Sequence, residues 1–140
     1  MASRFRRLLL STAAAVLSLG MTACMAAGPA HVGELQGDGP YQQFIVKYRD
    51  GSAPASQEAS VKARLDRTAG SSGLKSGAGA VRLEHKLRLS VAADVFRADR
   101  PLSKAEAQKL MQAFAADPDV EYIEIDGIVT TMPVGTGEIR

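Results

Sequence analysis

Two histidines, one cysteine and a cluster of late acids are the residues of this 140-residue chain whose types could do chemistry. His31 lies in a Gly-rich polar stretch and His85 in an alternating one, so the two are not spaced as a pair. Cys24 is the sole cysteine, which excludes an internal disulfide and leaves the folded part no thiol nucleophile. No G-x-S-x-G elbow, P-loop, dinucleotide-binding glycine pattern or H-E-x-x-H motif occurs. Glu121, Glu124 and Asp126 crowd one strand-like segment, without the ligand spacing of a zinc site or the loop of a calcium site. Their plain reading is a solvated strand end. A lone His85 is more often a satisfied core or edge residue than a base or pH sensor. The expectation is a protein that is not an enzyme, with no metal and no cofactor.

Composition narrows the partners. Arg4, Arg6 and Arg7 precede an apolar run, Leu8 to Leu19, and small residues follow from Ala23 to Gly28. That order reads as an export signal over residues 1–27, with an apolar run too short for a span of ~20 residues. Three of the 17 basic residues fall in it, leaving 14 against 15 acids. The exported part is near neutral, and tryptophan is absent. Neither a basic surface nor a base-stacking platform is expected, so no nucleic-acid partner. Two readings compete at Cys24. "LGMTAC" is similar to a lipobox, which would make Cys24 a lipidated N-terminus and place the protein at a membrane through that lipid alone. Cleavage near Ala26 or Ala27 would discard it. Either way the protein is expected to be periplasmic or extracellular.

The elements that position the acids follow from periodicity. Residues 28–40 are Gly-rich, polar and aperiodic, and read as a linker. Gln42 to Tyr48 is a strand, with Phe44, Val46 and Tyr48 on one face. Ser56 to Ala69 is a helix burying Val61, Leu65 and Ala69, with Glu58, Arg64, Asp66 and Arg67 on its solvated side. Gly70 to Gly79 reads as a flexible loop with nothing to bury. Val81 to Leu89 alternates Val81, Leu83, Leu87 and Leu89 against Arg82, Glu84, Lys86 and Arg88, which predicts one dry and one charged face. His85 falls in the dry phase. A strand near Ala93 to Ala98 follows. Ser103 and Glu106 form a capping-box pattern ahead of Ala107, Leu110, Met111 and Phe114, and Pro118 stops that helix. Val120 to Ile125 is the last strand. The order is β-α-β-β-α-β, so the predicted fold is an α+β ferredoxin-like sandwich. Its four-stranded antiparallel sheet would carry both helices on one face and leave the other open.

"QQFIVKYRDG" and "LSKAEAQKLMQAFAADPDVEYIEID" together resemble the pro-domains of subtilisin-like serine proteases, over about Tyr41 to Met132. The most specific part, "ADPDVEYIEID", is similar to that family's helix end followed by V-x-Y-V-E-x-D. The resemblance implies a ferredoxin-like domain over residues 41–126 whose open sheet face packs on two helices of a subtilisin-like protease. It also implies that Glu124 and Asp126 cap those helices, and that the tail, residues 127–140, enters the substrate cleft as a product would. Met132 would then precede the processing bond and Val129 would fill an apolar pocket upstream, with Thr130 and Thr131 between them. Pro133, which lacks an amide proton and has a fixed φ, would resist cleavage. The sequence ends at Arg140 without a catalytic domain, which is read as a free-standing inhibitor, or folding chaperone, acting in trans. Two other readings stay open. One is a remnant pro-region of a lost secreted protease. The other is a periplasmic or lipoprotein adaptor module using the same fold for another partner.

Overall fold

Alternation of large apolar and polar side chains makes Tyr41–Tyr48 a strand, β2, whose Phe44, Val46 and Tyr48 are buried. The computed structural model describes residues 28–127. Within them β2 is the middle of a five-stranded sheet. It pairs antiparallel with Ala93–Leu102, β6, on one side and with Val120–Ile125, β7, on the other. Leu83–Arg88, β5, closes the far edge against β6. His31–Val32, β1, closes the near edge, running parallel to β7. The architecture is α+β, and apart from β1 the sheet is antiparallel.

The fifth strand corrects the four-stranded expectation. It lies inside the segment read as a linker. A two-residue strand binds through its backbone, and the Gly33 amide donates to the Ile123 carbonyl at 2.8 Å. It therefore needs no side-chain period to betray it. The rest of the arm is tied down too. The Arg49 guanidinium donates to the Gly28 carbonyl, the Tyr41 hydroxyl to those of Gln36 and Gly37, and Lys104 to that of Gly37.

Among the described residues three helices connect the strands. Ala53–Ser56, α1, is a single turn capped by Ser52, whose hydroxyl accepts from the Ala55 amide. Glu58–Ser72, α2, buries Val61, Leu65, Thr68, Ala69 and Ser72. Lys104–Ala115, α3, starts at the expected capping box, with Ser103 and Glu106 satisfying each other's backbone amides. It buries Ala107, Leu110, Met111 and Phe114. The buried stripes of α2 and α3 join Phe44, Val46, Tyr48, Phe96, Ala98 and Ile123 in one core, so both helices cover the same sheet face. Phe96 stands between Phe44 and Phe114, with ring centroids 5.5 and 4.9 Å away.

Two further expectations are corrected. Gly70 to Gly79 is not one loop. α2 runs on to Ser72, Gly73 ends it at φ 71°, and Lys75–Ser76 (β3) pairs with Gly79–Ala80 (β4). Ser72 and Leu74 in that stretch are buried. Arg64 is not on a solvated face either. It donates to Asp117, at 2.6 Å, and to Asp119, pinning α2 to the turn between α3 and β7. Those bonds, Asp117 first, raise its pKa above the ordinary guanidinium value.

Candidate functional site

Among the described residues the helices cover one sheet face, and the register lays out what the other presents. Three rows cross it. In the middle row Glu124 of β7 pairs with Ile45 of β2, Ile45 with Val95 of β6, and Val95 with Leu87 of β5. One neighbouring row joins Gln43, Arg97 and Glu84, with Asp126 beside Gln43. The other joins His31, Tyr122, Lys47 and Ala93. The centre is thus apolar, with acids at its β7 end and charge along one flank.

Leu87 belongs to this face because of a bulge. β5 keeps pace with β6 through His85 opposite Phe96, then Leu87 lies opposite Val95, and Lys86 is passed over. One extra residue inverts the side-chain alternation from there on. The expected dry face therefore holds for Val81 and Leu83, which are buried, and fails for Leu87, which is 49% exposed. The face expected to be charged keeps Glu84 but carries an apolar row beside it.

The same shift turns Arg88 inward. Its guanidinium donates two bonds, both 3.0 Å, to the carboxylate of Asp94, which is fully buried. It also donates to the Ala55 and Pro54 carbonyls, at 3.0 and 2.6 Å, holding α1 on the sheet. Its pKa is raised above the ordinary value, chiefly by the Asp94 bonds. His85 Nε2 lies 2.9 Å from Asp94, and its Nδ1 lies 3.5 Å from Glu58. His85 is thus a half-buried member of a structural network, away from the late acids.

Those acids part company. The strand pairing skips Glu121, as β7 shifts register between Lys47 and Tyr48 of β2, and Glu121 lies 3.7 Å from the Lys47 ammonium. Glu124 is exposed at the end of the apolar row, and among the described residues it has no ion-pair partner. Asp126 lies just past β7, where its amide donates to the Gln43 carbonyl at 3.1 Å and its carboxylate accepts from the Gln43 side-chain amide. Glu124 and Asp126 therefore sit together at one end of the open face. Val129, Thr130, Thr131, Met132, Pro133 and Cys24 lie outside the described residues.

Gln43, Gly33 and Leu87 carried no signal as site residues in the sequence. Gln43 reads as the polar phase of a strand, Gly33 as a linker glycine and Leu87 as core. No group of three or more His, Cys, Asp or Glu able to hold a metal occurs among the described residues. No described helix is long and apolar enough to cross a membrane. The arrangement suits a protein surface better than a small molecule: exposed Leu87 and half-buried Ile45 offer apolar area on either side of Val95, which is itself buried, and two carboxylates offer acceptors to amides or cations.

No known family profile matches the chain. Over 114 residues it is 37% identical to an extracellular protease of Xanthomonas campestris pv. campestris. The aligned stretch is 78% of this chain and 20% of that protein, so the chain spans about a fifth of the relative's length. The similarity is to a fragment of a protease.

Proposed function

We propose that this chain is a pro-region-like protein that binds a subtilisin-like serine protease in trans and inhibits it, without catalytic activity of its own. The observation that carries this reading is the open face: the apolar row Ile45, Val95 and Leu87 ends at Glu124, with Asp126 next to it on the way into the tail. Leu87 and Ile45, the accessible members of that row, bury area against the partner. Carboxylates at its end suit helix N-termini, whose free amides and partial positive charge bind anions. The tail then lies extended in the substrate cleft, residues 129–132 adding a strand to its edges, and Pro133 slows turnover.

The fold supports the same reading. The long elements run β2, α2, β5, β6, α3, β7, and their strands lie in the sheet as last, first, third, second. We read that order as ferredoxin-like, with β1 as an added edge. Similarity to a fragment of an extracellular protease supports a pro-region-like role and an exported protein, periplasmic or extracellular. A domain that docks on a protease also lends it a template, so assisted folding of the target belongs to the same reading.

The test is inhibition of a purified subtilisin-type protease hydrolysing a small peptide. Competitive inhibition is expected, with residues 132–133 still joined by mass spectrometry. Truncation after Asp126 should weaken inhibition strongly and leave the circular dichroism unchanged. Equal inhibition by the truncated chain would remove the tail from the mechanism.

A further inference from the structure

The arm at residues 28–40 is bound to the domain at both ends, and its strand meets the sheet where the two acids stand. Gly33 follows β1 and approaches Glu124 so closely that a Cβ on it would lie 2.9 Å from the Glu124 Cβ and 3.2 Å from its Cα. Only glycine lets the two backbones come this near. Val32, Leu35 and Ala30 pack against the core, so the approach is anchored from behind. On the other side of β7, Gln43 clamps Asp126 through both its carbonyl and its side-chain amide. One oxygen of that carboxylate is thereby engaged, and its plane is set before any partner arrives.

The geometry points to Gly33 and Gln43 as positioning residues that preset Glu124 and Asp126 for the partner. This rests on the reading of those acids as partner contacts. Gly33 brings the arm's backbone against the Glu124 Cβ, which limits the room for the side chain on the arm's side. Gln43 holds Asp126 just past the end of β7, through one backbone bond and one side-chain bond. Fixing each carboxylate in the free protein removes rotamer entropy that docking would otherwise cost. The arm thus serves the docking end as a brace, beyond joining a leader to a domain.

The test is a pair of double-mutant cycles, Gly33→Ala with Glu124→Ala and Gln43→Leu with Asp126→Ala, read as inhibition constants against a purified subtilisin-type protease. Melting temperature is followed for every variant. Each positioning variant is expected to weaken inhibition about three- to tenfold in the parent and to have little further effect once its acid is gone, the signature of coupling. Loss by the same factor in both backgrounds would mean that Gly33 or Gln43 acts through the fold, and would overturn the proposal. Full inhibition by Gly33→Ala and Gln43→Leu, while Glu124→Ala and Asp126→Ala still weaken it, would overturn the proposal and spare the reading beneath it. Full inhibition by the two acid variants themselves would overturn both.

Discussion

Replacing Asp94 with alanine tests how much of the fold hangs on one buried carboxylate. Asp94 accepts two bonds of 3.0 Å from Arg88 and lies 2.9 Å from His85. Bonds to charged groups are worth about 1.5–3 kcal/mol each when broken, and breaking a buried ion pair costs about 3–5 kcal/mol. The Arg88 side chain is 23% exposed, so water can solvate it once Asp94 is gone. The lower end applies, about 3 kcal/mol. In a domain of this size each kcal/mol moves the Tm by roughly 4–8 °C, so a fall of roughly 12–24 °C is expected by circular dichroism. Asp94→Asn keeps the shape and an acceptor, and should cost about half as much. Arg88→Ala should cost less in the Asp94→Ala background than in the parent, since only its bonds to the Ala55 and Pro54 carbonyls remain to be lost. A Tm within 3 °C of the parent for Asp94→Ala would refute the reasoning, and would mean that the Arg88 bonds to the Ala55 and Pro54 carbonyls hold α1 unaided.

Tyr48→Phe should leave the protein as stable or raise it by about 1 kcal/mol in urea unfolding. Among the described residues its buried hydroxyl has no hydrogen-bond partner, and burial pushes its pKa up; clear destabilisation would show that water reaches it. Arg100 pairs with Glu106 and, with the Ser103 amide, holds the Glu106 carboxyl down at about 2. A depressed carboxylate stabilises the fold above its unfolded pKa and stops doing so as pH falls through the folded one. Arg100→Gln should therefore be less stable than the parent at pH 7, with the gap closing toward about pH 2; a gap constant over that window would contradict the pairing. Leu87→Ser should change the Tm little, because the side chain is half exposed, yet weaken protease inhibition about fivefold through lost apolar burial. Unaltered inhibition would exclude the β5 end of the open face from the contact.

The parts of the fold that local pattern controls were readable from residues alone. Phe44, Val46 and Tyr48 alternate, the Ser103–Glu106 box marks where α3 begins, and β7 spans the expected Val120–Ile125. What escaped depends on partners distant in sequence or on backbone alone. Alternation continues unbroken through Lys86, so nothing local announces the bulge that sends Leu87 outward and Arg88 to Asp94. β1 is held by main-chain bonding, which leaves no side-chain period in the sequence. Arg64 looks like one more charge on a helix until the turn brings Asp117 and Asp119 beside it. For the site, Glu124 and Asp126 stood out as acids at a strand end, whereas Gly33 and Gln43 gain meaning only from what the sheet sets next to them.

The inhibition constant of the Glu124→Ala, Asp126→Ala double variant, measured beside the parent on one subtilisin-type protease, tests the docking end directly. Exposed Glu124 and half-buried Asp126 meeting helix N-termini should contribute about 1–3 kcal/mol together, so inhibition should weaken by roughly 5- to 150-fold with the melting temperature little changed. A double variant that inhibits within twofold of the parent would contradict docking through this end of the open face.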